Sequence, residues 1–369
     1  MLGLIVNPVA GLGGRVGLKG SDGREIQRRA RELGATPLAA GRAIDALRRL
    51  APLLGDLQIL SYPGEMGEEA TVAAGFTPVV IGSITPGATT PDDTMAAARE
   101  MQRRQADLVL FAGGDGTARD VYRALGDSIP VLGIPAGVKI LSAAFAIHPA
   151  AAGDLAREFL SGESRHVRQA EVLDLDEEAY RAGRVSPRLY GYLKIPYRRR
   201  LIQGRKSPSP LDERGTLEAI AQDVVDQMEE GVAYIVGPGS TTRPILARLG
   251  LEKTLVGVDV VLDRQLLLAD ANEAALLGVL GRHRARVIVT PIGGQGYLFG
   301  RGNQPISPSV LRAVGRENIL VVGAPEKIHA LRGRPLLVDS GDPEVDRWLT
   351  GYMKILTGYH ERIVYRIST

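Results

Sequence analysis

Cysteine is absent from all 369 residues. That excludes disulfides, thiolate catalysis and cysteine-ligated metals, and with them a small secreted scaffold stapled by bridges. Histidine is scarce as well. His148, His166, His283, His329 and His360 are scattered without ligand spacing, so no histidine metal site is expected and no metal-ligand residues are assigned. No apolar run reaches the roughly 18 residues a membrane helix needs; even the stretch around Leu266–Leu280 is broken by Asp270 and Glu273. Met1 to Val6 is apolar, but it lacks a basic start and meets Asn7-Pro8 too early for a signal peptide. A cytoplasmic protein with no membrane partner is expected. An excess of one charge is missing too: 45 basic residues stand against 42 acidic ones, a net charge of +3 spread along the chain. That is too even for a nucleic-acid footprint. Neither a Gly-x-Ser-x-Gly elbow nor a Walker-type Gly-x-x-x-x-Gly-Lys-Ser/Thr occurs, which removes serine hydrolases and P-loop phosphate machinery. No internal repeat organises the chain.

Glycine, by contrast, is plentiful, at 45 of 369 residues. With no collagen-like period, these glycines must serve turns and close backbone approaches. Arginine outnumbers lysine 38 to 7, a bias that suits phosphate contacts but equally a GC-rich genome or a heat-adapted host. The length exceeds one ordinary domain, and 44% apolar residues can fill two cores.

Short apolar runs ending in glycine or proline recur at Leu2–Val6, Val79–Ile81, Leu108–Phe111, Val131–Ile134, Tyr234–Val236, Val258–Leu262, Val287–Val289 and Ile319–Val322. Helical stretches lie between them, including Gly23–Leu33, Arg42–Leu53, Thr94–Arg104, Ala118–Leu125 and Thr216–Glu229. The alternation predicts an α/β fold with a parallel sheet covered on both faces. A first domain is expected over 1–150. A second, mixed α/β or β-rich domain follows over 151–340. The residues 341–369, read as a helix over Pro343–Leu356 and a strand over Arg362–Ile367, could return to either.

The strongest motif is the apolar strand Leu108–Phe111 feeding Gly113-Gly114-Asp115-Gly116-Thr117 and then a helix. Glycines let backbone N–H groups approach phosphate oxygens, and a helix start adds its positive end to the same place. A carboxylate there would repel phosphate unless a bridging Mg²⁺ or an acceptor hydroxyl justified it. Asp115 is therefore the candidate general base; the alternative is a turn in which Asp115 caps the helix. Lys139, after the strand and turn Gly133–Val138, is a second candidate phosphate contact, or else a lysine snorkelling from a helix start. Gly294, Arg301 and Asn303 in Gly293–Asn303 could wrap part of a nucleotide or form an ordinary hairpin. Arg198-Arg199-Arg200 could be a phosphate lid or a solvated run.

The glycine loop resembles the signature of the NAD kinase and diacylglycerol kinase superfamily. In that superfamily the loop grips nucleotide phosphates and its aspartate activates the acceptor hydroxyl. Asn7-Pro8 after the first strand resembles the superfamily's nucleotide-side turn, which implies a binding role for Asn7. Gly237-Pro238-Gly239-Ser240-Thr241-Thr242 resembles the later Gly-Ser-Thr element and implies nucleotide contacts from Gly237, Gly239, Ser240, Thr241 and Thr242. Gly133–Lys139 and Gly293–Asn303 resemble blocks shared by the ATP-NAD kinase-like branch that includes acetoin-catabolism X proteins. The resemblance implies an NAD kinase-like fold and transfer of phosphate from ATP, or polyphosphate, with Mg²⁺. On this reading the acceptor is the 2′-hydroxyl of NAD, the product is NADP, and Gly113, Gly114, Gly116 and Thr117 hold the phosphates. A homo-oligomer is the expected assembly. One departure stands out. NAD kinases carry an Asn-Glu pair before the Gly-Ser-Thr element, whereas the only such pair here, Asn272-Glu273, follows it and reads as surface. The alternatives are a kinase of another small hydroxylated acceptor and a non-catalytic nucleotide-binding accessory protein.

Overall fold

The computed structural model describes residues 1–14, 16–18, 23–138, 140–175, 187–197, 213–254, 256–292 and 296–369. Lys139, Gly293–Gln295 and the run Arg198–Arg200 lie outside the described residues. The chain divides into two compact units, one within 1–12, 20–180 and 185–204, the other within 13–19, 181–184 and 205–369.

The first unit is built on five strands: β1 (Leu2–Val6), β2 (Ile59–Ser61), β3 (Pro78–Val80), β4 (Leu108–Gly113) and β5 (Val131–Pro135). Their order in the sheet is β3-β2-β1-β4-β5, every pairing parallel. Every residue of β1, β4 and β5 is buried, because helices cover both faces, so the strands read as continuous apolar runs rather than alternating ones. The helices of this unit are α1 (Arg24–Glu32), α2 (Ala39–Arg48), α3 (Glu68–Ala73), α4 (Pro91–Arg103), α5 (Asp115–Leu125) and α6 (Pro149–Leu160). Their starts follow local chemistry: Thr90 and Asp93 form a capping box at α4, with Pro91 at the first helical position.

This unit continues past residue 150. Helix α6 lies so close to α2 that a Cβ on Gly153 would overlap the Ala46 carbonyl oxygen, and its alanines join the same core. An antiparallel hairpin of β6 (Val167–Leu175) and β7 (Pro187–Pro196) also belongs to it. Gly191 of β7 leaves no room for a side chain beside the Tyr122 ring of α5.

The second unit holds a nine-stranded mixed sheet. Its strands are β8 (Val232–Val236), β9 (Asp259–Leu262), β10 (Gln265–Leu268), β11 (Arg284–Val289), β12 (Tyr297–Phe299), β13 (Ile319–Val322), β14 (Leu336–Val338), β15 (Gly351–Gly358) and β16 (Glu361–Ser368). The order is β10-β9-β8-β11-β13-β15-β16-β14-β12, and β8, β11, β13 and β15 run parallel. Alternate residues of β8 enter opposite cores: Ala233 and Ile235 one, Val232, Tyr234 and Val236 the other. That is the period-2 signature of a sheet packed on both faces. The helices of this unit are α7 (Glu213–Asp226), α8 (Arg243–Arg248), α9 (Glu273–Leu280), α10 (Pro308–Val314), α11 (Pro325–His329) and α12 (Pro343–Leu349).

The helix expected over Pro343–Leu356 stops at Leu349. Gly351, at φ 110, turns the chain into β15. Strands β15 and β16 pair antiparallel and sit inside the second sheet, so the C-terminal strand belongs to this unit. Among the described residues, no helix is long and apolar enough to cross a membrane.

Candidate active site at the carboxyl edge of the first sheet

In the order β3-β2-β1-β4-β5, the chain leaves β1 toward one side of the sheet and β4 toward the other. The gap outside the carboxyl ends of these neighbours is a topological switch point, where open parallel sheets take their ligands. The sequence puts Asn7 directly after β1 and Gly114-Asp115 directly after β4. Asn7 Nδ2 donates to Thr117 Oγ1 at 2.9 Å, closing the two segments on each other, while Asn7 Oδ1 accepts from the Val9 amide at 3.2 Å.

The glycines are required by contact here. A Cβ on Gly113 would overlap Thr117 Oγ1, and one on Gly114 would stand 3.2 Å from the Gly137 Cα. Gly11, at φ 79, abuts the Ala136 carbonyl oxygen. The Gly113 carbonyl accepts from the Ala136 and Gly137 amides at 2.9 and 3.0 Å. Segments 7–11, 113–117 and 135–137 are thus stitched into one edge. A Gly116 Cβ, by contrast, would find only the Arg119 guanidinium at 3.7 Å.

Asp115 occupies the first position of α5, not an outlying cap, and is buried. Its Oδ2 accepts from the Leu141 amide at 2.7 Å and its Oδ1 from the Ser142 amide at 2.9 Å. Ser142 is itself fixed, its Oγ donating to the Leu173 carbonyl of β6 at 2.8 Å and accepting from the Leu173 amide at 3.0 Å. Burial pushes the Asp115 carboxyl up from its ordinary 3.8 to about 7; the Ser142 and Leu141 hydrogen bonds oppose that rise and the Asp174 charge adds to it. One turn along α5, Arg119 Nη1 meets Asp174 of β6 at 2.6 Å. The first-turn amides of α5 have no intrahelical acceptors, so the loop presents backbone donors beside a carboxylate that titrates near neutrality. Such an edge can hold an oxyanion and accept a proton.

In the second unit, Thr242 Oγ1 donates back to the Gly237 and Gly239 carbonyls at 2.8 and 3.1 Å, so it shapes its own loop. Thr241 instead turns its buried hydroxyl to Lys327. Ser240 is exposed. Asn303 bonds within its loop, accepting from the Gly300 amide at 3.1 Å and donating to the Leu298 carbonyl at 2.9 Å. Arg301 pairs with Asp339 at 3.3 Å and lies over the Tyr297 ring at 4.8 Å. Asn272, one half of the displaced Asn-Glu pair, caps α9 by accepting from the Ala275 amide at 2.9 Å.

Two features escaped the sequence reading. Leu141 and Ser142 act through main-chain amides, which carry no residue-type signal. Lys327 stands in α11, more than 80 positions from Thr241. Its rarity, one lysine among seven, was the only available hint.

The ATP-NAD kinase N-terminal domain model matches residues 2–164, and the ATP-NAD kinase C-terminal domain model matches residues 229–367. The chain belongs to the ATP-NAD kinase family. Among solved structures, it is similar to a candidate diacylglycerol kinase from Bacillus anthracis str. Sterne, at 17% identity and a TM-score of 0.24. That likeness spans 48% of this chain and 46% of the other, and is too slight to add to the family assignment. No curated protein matches the chain.

The tie between Asn7 and Thr117 gives this family member a simple stability test. Thr117→Val keeps the shape and removes the hydroxyl, leaving the Asn7 amide without its acceptor. The expected cost is about 1 kcal/mol, or roughly 2–4 °C in the melting temperature of a unit this size. Differential scanning calorimetry of the two proteins checks it, and an unchanged melting temperature would show that the bond contributes nothing.

Proposed function

We propose that this protein transfers the γ-phosphoryl group of ATP to the 2′-hydroxyl of the adenosine ribose of NAD, giving NADP, with Asp115 as the general base. The observation that carries the reading is the buried Asp115 carboxylate held by the Leu141 and Ser142 amides at the head of α5 and raised to about 7. A base is most effective when its pKa lies near the working pH. A carboxylate gripped by two rigid amides is also aimed without further ordering.

In this mechanism the phosphates lie against Gly113, Gly114, Gly116 and Thr117, and Asn7 holds Thr117 in place. The acceptor hydroxyl is set beside Asp115, which takes its proton as the new P–O bond forms and the bond from the γ-phosphorus to the ADP oxygen breaks. The N–H groups at the start of α5 stabilise the negative charge on the transferring group. Among the described residues, no three His, Asp or Glu side chains gather around one point. A Mg²⁺ bound with the nucleotide would find the Asp115 carboxylate as the acidic group of the glycine loop. Such an ion would supply neutralisation of the phosphate charge.

Production of NADP from NAD and ATP, followed with an NADP-specific dehydrogenase, tests the reading. A panel of other hydroxylated acceptors, read as ATP consumption, runs beside it, together with polyphosphate as donor. NADP formation that falls by a factor of roughly 10²–10⁴ in Asp115→Asn is the expected result. Turnover only with another acceptor would remove NAD and keep the kinase. The displacement of the Asn-Glu pair into the cap of α9 is the specific observation that favours this second reading, a different small hydroxylated acceptor.

A further inference from the structure

The carboxylate proposed as the base is held from outside its own loop. Asp115 heads α5, but both amides that donate to it, those of Leu141 and Ser142, come from the segment that follows β5. That segment is bound on two sides. The Gly133 amide of β5 donates to the Ala144 carbonyl at 2.9 Å, the Gly133 carbonyl accepts from the Ala146 amide at 3.0 Å, and the Ala143 amide donates to the Glu171 carbonyl of β6 at 2.9 Å. A Cβ on Gly133 would overlap the Phe145 ring, which meets Phe111 of β4 edge to face with ring centroids 5.3 Å apart. These anchors fix residues 143–146, which lie beyond the two amides.

At the amides themselves the anchor is a side chain. The Ser142 hydroxyl donates to the Leu173 carbonyl of β6 at 2.8 Å and accepts from the Leu173 amide at 3.0 Å. A hydroxyl has one proton to give and lone pairs to receive with, so the two bonds hold its oxygen to the strand from two directions. Ser142 is fully buried and touches no substrate. The next residue of β6, Asp174, meets Arg119 of α5 at 2.6 Å, and Arg119 also reaches Asp120 at 3.4 Å. Strand β6 thus grips the helix that carries Asp115 through Asp174, and the amides that donate to Asp115 through Ser142.

We infer that Ser142 is a positioning residue: its hydroxyl sets the Leu141 and Ser142 amides on β6 and so aims the Asp115 carboxylate at the acceptor hydroxyl. The inference rests on the reading of Asp115 as the base and adds the residue that aims it. A carboxylate has room for about four hydrogen bonds. With one amide fixed on each oxygen, the remaining lone pairs point in directions the protein sets in advance, and a reacting group oriented beforehand gains rate.

Ser142→Ala removes both bonds to Leu173 and leaves the two amides in the chain. Steady-state kinetics of the wild type, Ser142→Ala, Ser142→Thr and Asp115→Asn across the pH range, with whichever acceptor turns over, test the inference. The expected result for Ser142→Ala is a kcat lower by about tenfold to a hundredfold, the size of a misplaced reacting group, with the nucleotide KM changed by no more than about twofold. The acidic limb of kcat/KM should move to higher pH, because the Ser142 hydrogen bonds oppose the rise that burial gives Asp115. A merely structural loss would lower stability and leave that limb in place. Ser142→Thr keeps the hydroxyl and should retain most of the rate. The ¹³C carboxyl resonance of Asp115, assigned by its absence in Asp115→Asn, reads the same coupling without turnover: it should titrate at higher pH in Ser142→Ala than in the wild type. An unchanged kcat or an unmoved titration in Ser142→Ala would overturn the inference, and so would a loss in Ser142→Thr equal to that in Ser142→Ala. If Ser142→Ala fails to fold, Ser142→Cys, whose thiol is a weaker donor, should show a reduced kcat and the same shift, and wild-type behaviour there would overturn the inference. Asp115→Asn separates the two readings. An inactive Asp115→Asn beside a fully active Ser142→Ala keeps the base and removes Ser142, whereas a fully active Asp115→Asn removes the base itself.

Discussion

Asp115→Asn is expected to lower phosphoryl transfer by a factor of roughly 10²–10⁴, the usual contribution of a positioned base, while nucleotide affinity changes by no more than a few-fold. Asparagine keeps the shape but cannot take a proton. Its amide group also turns an N–H toward one of the two amides, Leu141 or Ser142, that the carboxylate accepts from at 2.7 and 2.9 Å. That local conflict costs about 1 kcal/mol, far less than the loss of rate requires. The pH profile makes the assignment specific. With the carboxyl raised to about 7, wild-type kcat/KM should fall about tenfold per unit below pH 7 and level off above it, because only the ionised form accepts the proton. The residual activity of the variant should lack that limb.

Stability responds with the opposite sign. The folded state holds its Asp115 proton up to about pH 7, whereas the unfolded chain releases it near 3.8. Between those values the folded state binds more protons, so this group's contribution to stability declines as pH rises through the window. Urea midpoints at pH 5 and pH 8 should therefore differ less in Asp115→Asn than in the wild type. An unaltered rate, or a variant with the wild-type pH limb, would sink the base assignment.

The strands most legible in the sequence are those buried on both faces. Leu2–Val6 and Ile319–Val322 coincide with β1 and β13, and Leu108–Phe111 grows only by Ala112 and Gly113. For such strands burial itself dictates an unbroken apolar run. Short strands leave little trace: β2 and β14 hold three residues each, too few for any period. Strand β10 hid because Gln265, Leu266 and Leu267 are all exposed, so no burial pattern marked it. At α2 and α4 the readings began three residues late, at Arg42 and Thr94. The first turns, Ala39-Ala40-Gly41 and Pro91-Asp92-Asp93, are set by tertiary packing and by a cap rather than by periodicity.

The candidate site divides in the same way. Residues that act by type, namely Asp115, the glycines and Asn7, were visible as a motif. Those that act by position were not, because Leu141 and Ser142 lend only their amides and Lys327 reaches Thr241 across more than 80 residues of chain. The sheet order β3-β2-β1-β4-β5 supplies what sequence could not: it makes Asn7 and Thr117 neighbours although 110 positions separate them.

The largest stability loss is expected from Lys253→Met. Lys253 Nζ stands 2.9 Å from Asp259 Oδ2, and neither side chain reaches solvent. The ammonium also donates to the Thr254 and Gly257 carbonyls at 2.8 Å each, and Asp259 accepts from the Thr254 and Asp270 amides at 2.8 Å each. Removing one partner of such a pair leaves the other charge buried with only backbone donors, which costs about 3–5 kcal/mol, or on the order of 10 °C in melting temperature. Replacing both partners, as Lys253→Met with Asp259→Leu, should restore part of the loss. It cannot restore all of it, because the Thr254 and Asp270 amides then lose their acceptor. Chemical unfolding of the three proteins at pH 7 gives the order wild type, double variant, single variant. A single variant within 1 kcal/mol of wild type would refute the buried pair. The damage should also reach beyond the pair. Asp259 lies opposite Val236 where β9 meets β8, and the next residue along β8 opens the Gly237–Thr242 loop that carries Thr241. Loosening that register should also disturb the Lys327–Thr241 hydrogen bond in the loop that follows β8.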